Sequence, residues 1–544
     1  MPAAREIARA LAGPTSLPAM LPDFLRAQRW FGGKARPVRA VSLVDAIPFA
    51  MAETTAFIFL ARVEYREGAA EIYSVPMVEV ADVTMLPRSV TGESAPHLLV
   101  MAEGASLVLY DALRNPAFLE VLLAAMREGR RLRGEHGELR ASNTPALEKL
   151  AAGQELAPKL MRAEQSNTSV VYGDKLVFKL FRRVAEGVNP DIEIGRFLTE
   201  KTDFRNVPLL AGALEYVSDL GACSSLGMLQ SFVRNQGDAW EFTLGAVGRY
   251  LANAKANEAP AIPSRSLLEL GAEAIPDQAR EVIGEFIGSA ELLGRRTAEL
   301  HLALATHAAD PAFDPEEYSA GDQRSFCESA LDLLGRNLRL LERQMNSLPR
   351  EIQAQGQALL QRAPELERRL RQFEERPIGA LRTRVHGDYH LGQVLVVEGR
   401  DFVLIDFEGE PARSLEERRR KRSPLQDVAG MLRSFHYAAF APLLVIGPES
   451  LPLETYAPWA TFWQTWVSAA YLREYFSVAE SAAFLPRDGA ETAALLNVHL
   501  LEKAIYELGY ELNNRPSWVR VPLSGIEQLL GARDKGQGAR QRIA

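Results

Sequence analysis

The pattern of apolar and polar positions changes twice along the chain. Up to about residue 138, short alternating runs such as 56–63 and 70–76 predict β-strands, and residues 116–131 predict one helix. Residues 139–235 predict a hairpin, a helix and further strands, whereas helical periodicity dominates from residue 236 onward. The chain is therefore predicted to be α+β with three parts, which are an N-terminal α+β unit at 1–138, a β-rich lobe at 139–235 and a mostly helical lobe at 236–544.

Several features of the helical lobe are typical of packing or of surface structure. Residues 325–347 and 351–374 are charged helical stretches separated near Pro349, which predict a helical hairpin with a solvated face. Residues 252–280 show little periodicity, so we expect a surface insertion or a linker. Ser423-Pro-Leu-Gln426 predicts the start of a helix. Trp459, Trp463 and Trp466 recur at helical spacing, which favours core packing.

A hairpin near residue 400 carries polar residues at its outer ends. Asp388, in the segment His386-Gly-Asp388, lies five residues before Gln393, which directly precedes a predicted strand at 394–397. A four-residue turn and a second strand at 402–405 follow, and Asp406 comes directly after that strand. Phosphotransferases place a catalytic acid, an amide and a metal-binding acid in this order.

The register of this hairpin decides what its ends can do. If Val397 pairs with Phe402, Gln393 lies opposite Asp406, with Cβ atoms about 5 Å apart. The amide and carboxylate oxygens would then share one hard cation such as Mg²⁺, and Asp388 would accept or orient the proton of a substrate hydroxyl. The alternative is an ordinary hairpin whose polar ends are solvated.

An upstream hairpin offers a cation for phosphate groups. Strands at 168–172 and 175–181 flank Gly173-Asp174, which predicts a two-residue turn. Leu176, Phe178 and Leu180 share one face of the second strand, which leaves Val177 and Lys179 on the other. Lys179 would neutralise phosphate charge and Val177 would pack against an adenine ring. A solvated strand lysine is the alternative.

The surroundings of this hairpin complete a nucleotide-binding prediction. Glu193, in the first turn of a helix that begins near Pro190, would hold Lys179 in place. The loop before the hairpin contains no glycine, so backbone amides and side-chain hydroxyls would make the phosphate contacts. The residues concerned are Ser166, Asn167, Thr168 and Ser169. Because the glycine-rich loop of protein kinases is absent, the pattern disfavours a protein kinase.

Two further motifs have a structural interpretation. Gln28-Arg-Trp-Phe-Gly-Gly-Lys34 resembles a phosphate-binding loop, but Ala35 follows where serine or threonine is required. A glycine turn with an aromatic anchor is therefore the favoured interpretation. The basic run at 418–422 is expected to be solvated or paired with acids such as Glu416 and Glu417, and to orient a segment.

Composition narrows the classes of partner. The chain has 544 residues and a formal net charge of −8, which argues against general nucleic-acid binding. Cys223 and Cys327 are the only cysteines, so neither a disulfide framework nor a structural zinc site is expected. The N-terminal segment lacks the apolar core of a signal peptide and no apolar run is long enough to span a bilayer. We therefore expect a cytoplasmic protein with no membrane partner.

A helix predicted at 497–514 has two faces of different character. Its apolar stripe consists of Leu501, Ala504, Ile505, Leu508 and Leu512. The other face carries Lys503, Tyr506, Glu507, Tyr510 and Glu511. Tyrosines beside charged groups suit a disaccharide, which offers apolar ring faces and many hydroxyls, but a solvated helix face explains the pattern equally well.

Five segments together resemble the bacterial maltokinases. They are residues 25–34, 164–171, 385–393, the stretch from Asp406-Phe-Glu-Gly-Glu-Pro411 through 418–435, and Asn513-Asn-Arg-Pro-Ser-Trp518. The resemblance implies a bilobal, protein-kinase-like fold similar to aminoglycoside phosphotransferases, with an added N-terminal cap, a nucleotide-binding lobe at 139–235 and a catalytic lobe at 236–544. The region from about 250 to 380 looks longer than this family needs.

The resemblance also implies an activity and its ligands. The family uses ATP and Mg²⁺ to convert maltose into maltose 1-phosphate, which feeds α-glucan (glycogen) synthesis from trehalose, and some members are fused to or complexed with trehalose synthase. Nothing in this chain resembles a synthase barrel. The resemblance favours a sugar site at Lys503, Tyr506, Glu507 and Tyr510, with His390 and Glu408 as further candidates.

Two alternatives stay open at this stage. One is a kinase of the same scaffold that acts on another sugar or on an aminoglycoside. The other is a catalytically silent nucleotide-binding partner of trehalose synthase. The sequence does not distinguish a monomer from a homodimer.

Overall fold

The computed structural model describes residues 17–80, 86, 98–102, 105–153, 155–161, 167–254, 260–375, 377–444 and 452–540. The chain divides into two compact units, each built from several stretches of sequence. The first unit comprises residues 1–200, 208–234 and 414–417, and the second comprises 201–207, 235–413 and 418–544.

The first unit contains two antiparallel sheets. One has the strand order β1-β2-β3-β5-β4, with β11 paired to β3, and the other has the order β6-β7-β12-β13-β10-β9-β8. The strands are β1 (Val38–Ala50), β2 (Thr55–Tyr65), β3 (Glu71–Val80), β4 (Leu98–Ala102), β5 (Ala105–Asp111), β6 (Arg131–Arg133), β7 (Gly137–Asn143), β8 (Pro158–Leu160), β9 (Asn167–Tyr172), β10 (Leu176–Phe181), β11 (Arg183–Val184), β12 (Leu210–Ser218) and β13 (Cys223–Ser231). The helices are α1 (Leu17–Ala27), α2 (Pro116–Arg127), α3 (Pro145–Ala151) and α4 (Pro190–Lys201).

One hydrophobic core joins the two sheets of this unit. It includes Ile47 of β1, Phe118 of α2 and Phe178 of β10. Helix α2 begins as its sequence predicts, because Asn115 accepts hydrogen bonds from the first-turn amides and a proline follows it. It ends four residues earlier than predicted, since Gly129 adopts a positive φ of 61° and turns the chain toward β6.

The glycine-rich motif near residue 30 is an aromatic anchor, as its sequence favours. The Phe31 ring lies 5.0 Å from that of Tyr73. Arg36 forms a 2.5 Å ion pair with Glu71, and the hydroxyls of Tyr65 and Tyr73 donate to the same carboxylate at 2.7 and 2.8 Å. These contacts account for the motif without a bound phosphate.

The second unit is mostly helical. Its helices are α5 (Ala239–Ala252), α6 (Leu267–Gly271), α7 (Asp277–Ile283), α8 (Phe286–Leu304), α9 (Ala320–Gln344), α10 (Arg350–Gln361), α11 (Ala363–Arg371), α12 (Leu415–Arg419, whose first residues belong to the first unit), α13 (Leu425–Phe440), α14 (Leu453–Val478), α15 (Gly489–Asn514) and α16 (Arg520–Arg540). Two short antiparallel pairs complete it, β14 (Glu316–Glu317) with β15 (Leu381–Arg382) and β16 (Val394–Val396) with β17 (Phe402–Leu404).

Several element predictions for this unit need correction. The helix predicted at 351–374 is two helices, α10 and α11, because Pro364 in the first turn of α11 cannot donate a backbone hydrogen bond to a continuing helix. The linker predicted at 252–280 contains α6 and α7 among its described residues, and α6 begins at a capping box. The helix predicted from residue 497 begins at Gly489, since Asp488 caps it by accepting from Ala490 N.

Two other predictions are confirmed. Helix α13 begins at Leu425, whose backbone amide donates to Ser423 Oγ at 3.2 Å. The three tryptophans lie on α14, and each is buried, with Trp463 fully inaccessible. They belong to the core of this unit.

Candidate active site

The hairpin of the second unit has a different register from the one predicted. Val396, not Val397, lies opposite Phe402, and Gln393 O accepts from the amide of Ile405 at 3.0 Å. The turn is shorter than predicted because Gly399 and Arg400 both adopt positive φ, of 80° and 60°, which closes it over three residues. A one-residue slip of this kind moves every paired position.

The side chains of Gln393 and Asp406 meet in spite of that slip. Gln393 Nε2 donates to Asp406 Oδ2 at 3.0 Å. Asp406 has a φ of 68°, so the chain leaves the strand direction at this residue and its carboxylate lies beside the amide. Such backbone strain in a non-glycine residue is concentrated at functional sites. An amide and a carboxylate supply the oxygen ligands that Mg²⁺ prefers, so the donor set fits that ion.

The loop that carries Asp388 is held by a buried carboxylate. Asp427 of α13 is 1% exposed, and it accepts from the backbone amides of His386 at 2.7 Å and Gly387 at 2.9 Å. His301 Nε2 lies 3.2 Å from the same carboxylate. Burial favours the neutral form of Asp427, but its hydrogen bonds and the charge of His301 outweigh this and lower its pKa.

Two further contacts fix the same loop. His386 Nε2 donates to Ile405 O at 2.9 Å, which joins the loop to the end of β17. Ser434 Oγ, also on α13, accepts from the amide of Leu391 at 3.1 Å. Helix α13 and the hairpin therefore determine the position of Asp388.

Asp388 belongs to a cluster of charged side chains. Lys503 Nζ lies 3.3 Å from Asp388 Oδ1 and 3.5 Å from Glu410 Oε2. Tyr506, one turn further along α15, donates its hydroxyl to Glu410 Oε1 at 2.6 Å. His390 Nε2 lies 4.0 Å from the other oxygen of Asp388. The side chains of Asp388, Lys503 and Glu410 are 18%, 24% and 11% exposed, so all three are half-buried or nearly buried.

The electrostatics of this cluster keep its donors protonated. Burial opposes the charge of Lys503, but the carboxylates of Asp388 and Glu410 outweigh it and raise the pKa of Lys503. Burial, together with the hydrogen bond to Glu410, raises the pKa of Tyr506. Burial lowers the pKa of His390, although Asp388 opposes this. Its Nδ1 accepts from the amide of Gly392 at 3.1 Å, so the remaining proton lies on Nε2, which faces Asp388.

Not every residue predicted for the sugar site lies in this cluster. Glu507 forms a buried ion pair with Arg433, with two contacts of 2.8 and 2.7 Å to one oxygen. Tyr510 is 47% exposed. The backbone carbonyl of Glu408 accepts from Arg418 Nη1 at 3.3 Å. Lys503 and Tyr506 are thus the two predicted helix residues that contact the Asp388 cluster.

At least one residue of the basic run at 418–422 is buried rather than solvated. Lys421 is 8% exposed and pairs with Glu316 at 2.6 Å rather than with the neighbouring acids. Arg418 donates to Arg413 O as well as to the carbonyl of Glu408. These contacts agree with the expectation that the run orients a segment, which here follows Asp406.

The upstream hairpin lies in the first unit. Its register is also one residue away from the prediction, because Leu176, not Lys175, lies opposite Tyr172 and Gly173 adopts a positive φ of 59°. The two faces of β10 are as predicted: Leu176, Phe178 and Leu180 are buried, while Val177 and Lys179 are partly accessible.

Lys179 is held by an acid that the sequence analysis did not name. Its Nζ lies 3.2 Å from Asp191 Oδ2, and the two side chains are 14% and 5% exposed. Asp191 and the predicted partner Glu193 both lie in the first turn of α4. Of the predicted phosphate-contacting residues, Asn167, Thr168 and Ser169 begin β9, and Ser166 lies outside the described residues.

Three residues of the two sites were missed by the sequence analysis: Glu410, Asp427 as a loop anchor, and Asp191. A sequence signal existed for two of them. Glu410 follows two residues after Glu408 in the segment that begins at Asp406, and Asp191 is the other acid in the helix start that suggested Glu193.

The side chains brought together in the two units are of the kinds that phosphotransferases of the kinase class use. An aspartate on a fixed loop, an amide paired with a carboxylate, and a lysine paired with an acid on a β hairpin are the groups that this class uses. The chain is α+β and bilobal, as predicted. Among the described residues, no helix combines the length and the apolar character needed to cross a bilayer.

Comparison with known proteins finds one matching domain family and similar kinases. Residues 24–114 match the family described as the maltokinase N-terminal cap domain. A glucosamine kinase of Streptacidiphilus jiangxiensis is 26% identical over 243 residues, which cover 45% of this chain and about half (49%) of that protein. A glucosamine kinase of Mycolicibacterium smegmatis is 24% identical over 382 residues, which cover 68% of this chain and 78% of that protein.

Solved structures show the same fold. A glucosamine kinase in complex with glucosamine, ADP and inorganic phosphate superposes with a TM-score of 0.61 at 18% identity, covering 93% of this chain and 98% of that one. A second crystal form of glucosamine kinase gives a TM-score of 0.60 at 19% identity, over 97% of this chain and all of that one (100%). The chain therefore shares the fold of these glucosamine kinases, and its residues 24–114 match the maltokinase N-terminal cap domain.

Proposed function

We propose that this protein transfers the γ-phosphoryl group of ATP to the anomeric hydroxyl of maltose, giving maltose 1-phosphate and ADP. The observation that carries the proposal is the immobilised Asp388 loop, which shares its hairpin with the Gln393–Asp406 pair and contacts Lys503. A fixed carboxylate beside partly exposed hydroxyl-binding groups suits direct attack by a sugar hydroxyl on a bound nucleotide.

Each group has a role in this proposal. Asp388 accepts or orients the proton of the attacking hydroxyl, a role that contributes roughly 10²- to 10⁴-fold in rate in general acid–base catalysis. Gln393 and Asp406 hold Mg²⁺, which when bound neutralises charge on the nucleotide phosphates. Lys179, fixed by Asp191, neutralises phosphate charge. Asn167, Thr168 and Ser169 contact the phosphates, and Val177 packs against the adenine.

The groups around Lys503 support a neutral sugar as the acceptor. A sugar hydroxyl can donate to a carboxylate such as Glu410 and accept from Lys503 or Tyr506, so the cluster offers both kinds of partner. The cap domain matched by residues 24–114 is the one described for maltokinases, which favours maltose within this class.

Glucosamine is the second candidate acceptor, because the two relatives described above are named glucosamine kinases. An ammonium group would need a carboxylate without a cationic neighbour. Here Lys503 Nζ lies 3.5 Å from Glu410 and 3.3 Å from Asp388, and its charge would repel an amino sugar. In this proposal maltose is therefore the preferred acceptor and glucosamine the second candidate.

The wider role follows from the same proposal. Maltose 1-phosphate would feed α-glucan (glycogen) synthesis from trehalose, in the cytoplasm, with trehalose synthase as a possible partner. A catalytically silent subunit is the remaining alternative, and the retained Lys179, Asp388, Gln393 and Asp406 argue against it.

The test measures ADP release from ATP and Mg²⁺ with maltose, glucosamine, trehalose, glucose and kanamycin in parallel, followed by phosphorus NMR of the product. We expect release with maltose and an anomeric phosphate signal. Faster turnover with glucosamine than with maltose would identify glucosamine as the acceptor. ATP binding without release for any acceptor would support the silent subunit.

A further inference from the structure

Helix α8 places two polar side chains in the interior of the second unit, one turn apart. Thr297 and His301 are both 0% exposed. Residues four apart in sequence lie on the same face of a helix. Because a buried polar group lowers stability unless it has a hydrogen-bond partner, the partners of these two side chains indicate what they do.

His301 lies against the carboxylate that holds the Asp388 loop. Its Nε2 is 3.2 Å from Asp427 Oδ2, and Asp427 accepts from the backbone amides of the two residues before Asp388. Because an ionised carboxylate can only accept, Nε2 must carry a proton. The other ring nitrogen, Nδ1, lies 2.9 Å from the hydroxyl of Tyr475 on α14, whose side chain is also buried. The ring of His301 is therefore fixed at both nitrogens.

Thr297 lies against the residue that follows Asp388. Its Oγ1 is 2.9 Å from the hydroxyl of Tyr389, which is buried. Thr297 donates its own proton to the carbonyl of Leu293 at 2.8 Å, so the Tyr389 hydroxyl must be the donor in the contact between them. Burial raises the pKa of Tyr389, so this hydroxyl keeps its proton. Helix α8 therefore contacts the chain directly on one side of Asp388 and reaches the other side through Asp427.

Close packing of backbones surrounds these contacts. A Cβ atom on Gly294, one turn before Thr297, would collide with the carbonyl oxygen of Tyr471 on α14. A Cβ atom on Gly430 of α13 would collide with the carbonyl oxygen of Tyr389. Because close-packed interiors transmit small displacements, a change in the partners of α8 should reach the Asp388 loop.

We propose that Thr297 and His301 of α8 are positioning residues for Asp388, which hold the chain on both sides of it. This inference rests on the proposed function, in which Asp388 accepts or orients the proton of the attacking hydroxyl. A displacement of about 1 Å can cost on the order of 100-fold in rate, so two residues that do not touch the substrate still affect turnover. The alternative is a purely structural role, in which the two side chains stabilise the fold and leave turnover unaffected.

The test measures steady-state kinetics of the full-length protein with ATP, Mg²⁺ and the acceptor that gives the fastest ADP release. Thr297→Val and His301→Leu should each lower kcat about tenfold, while the KM values for ATP and the acceptor stay within about twofold. His301→Gln should restore most of the lost kcat, since its amide nitrogen can replace Nε2 as the donor to Asp427. Tyr475→Phe should lower kcat less than His301→Leu does, because it removes only the contact that orients the ring.

Two matched variants separate positioning from stability. Thr465→Val removes another buried threonine hydroxyl of the second unit, which donates to the carbonyl of Thr461 in its own helix at 2.7 Å. Tyr250→Phe removes another buried tyrosine hydroxyl, which donates to the carbonyl of Trp459 at 3.0 Å. Each should lower the melting temperature through the loss of a buried hydrogen bond and leave kcat unchanged. If Thr297→Val and His301→Leu behave like these controls, the role is purely structural and the inference is overturned.

Hydrogen exchange tests the position of the loop without measuring activity. Peptides that cover residues 385–391 should exchange faster in Thr297→Val and His301→Leu than in the wild type and the two controls, because the loop has lost a restraint. Unchanged exchange in both variants would overturn the inference. If His301→Leu does not fold, Thr297→Val and Tyr475→Phe decide by the same two measurements. Failure of the wild-type protein to release ADP with any acceptor would instead refute the proposed function, and the exchange comparison would then decide whether α8 holds the loop.

Discussion

Asp388 has a fixed environment, and its substitution should separate chemistry from binding. Asp388→Asn keeps the shape of the side chain but removes the group that accepts the proton of the sugar hydroxyl. We expect turnover to fall roughly 10²- to 10⁴-fold, while ATP affinity stays within a few-fold, because the Gln393–Asp406 pair is untouched. Initial rates of ADP release and a nucleotide titration measure the two quantities. Near-normal turnover would remove Asp388 from the role of base.

Glu410 is expected to act on acceptor affinity rather than on nucleotide binding. Glu410→Gln retains an acceptor for the Tyr506 hydroxyl but loses the charge that faces Lys503. The KM for maltose should rise about tenfold, as expected for the loss of a charged hydrogen bond, and the KM for ATP should not change. The control is Glu502→Gln. Glu502 precedes Lys503 in the chain, and its carboxylate pairs with Arg413 at 2.8 Å. Equal effects of the two substitutions would argue against a sugar site at Glu410.

At the residue scale, the sequence predicted groups that are close in the chain better than groups that are distant. Gln393 and Asp406 lie 13 residues apart on one hairpin. Their spacing predicted that they would be neighbours, and their side chains are in contact in the structure. Lys503 and Asp388 lie 115 residues apart, and no local pattern gives that contact. Glu410 was missed for a similar reason, since its partners come from a distant helix.

At the scale of secondary-structure elements, both hairpin registers were predicted one residue away from those observed. Periodicity identifies the strands, but the register depends on turn geometry, and Gly399, Arg400 and Gly173 all adopt positive φ. The faces of β10 were nevertheless predicted correctly, because alternation along one strand does not depend on its partner. Gln393 and Asp406 are in contact despite the one-residue difference in register, because Asp406 leaves the strand conformation.

Asp427 of helix α13 anchors the Asp388 loop, so its substitution should affect both stability and catalysis. Asp427→Asn replaces a carboxylate oxygen by an amide group, which cannot accept from both His386 and Gly387 as well as from His301. We expect a loss of about 2 to 4 kcal/mol in the free energy of unfolding, together with a lower kcat, since the Asp388 loop loses its anchor. Thermal melts and steady-state kinetics measure the two effects.

The control for this prediction is Asp322→Asn. Asp322 closes the capping box at the start of α9 and pairs with Arg382 at 2.8 Å, away from the Asp388 loop. Its substitution should lower the melting temperature by the loss of a helix cap and leave kcat unchanged. If Asp427→Asn behaves in the same way, the loop does not depend on Asp427 for its active position.

At the scale of the whole molecule, the sequence predicted the class of fold. It could not predict the two structural units, because each unit is built from several separate stretches of the chain. The second unit takes in residues 201–207 from within the predicted nucleotide-binding lobe. Asn206 explains this, because its side-chain amide donates to Phe402 O and its carbonyl accepts from the amide of Leu404, both at 2.8 Å. Similarly, β11 at Arg183–Val184 completes a sheet that is otherwise formed by residues of the cap region. Such pairings depend on tertiary contacts that composition and periodicity do not reveal.

The pH dependence of stability is a property of the whole molecule that one buried residue should influence strongly. His499 of α15 is 3% exposed and packs edge-on against Phe326, and burial lowers its pKa to about 4. The unfolded chain binds a proton at this residue near pH 6.5, whereas the folded protein does so only near pH 4. Between these values the unfolded state carries more protons, so the stability due to His499 is full above pH 6.5 and is lost as the pH falls toward 4.

His499→Leu should therefore reduce the acid sensitivity of the protein. Leucine fills a similar buried space without binding a proton, so the wild-type protein should lose up to about 3 kcal/mol more than the variant between pH 6.5 and pH 4. Melting temperatures of both proteins, measured in steps of half a pH unit over this range, give the comparison. The variant should melt progressively higher relative to the wild type as the pH falls. Parallel curves would mean that the folded protein protonates His499 as readily as the unfolded chain does, and that other groups cause its acid sensitivity.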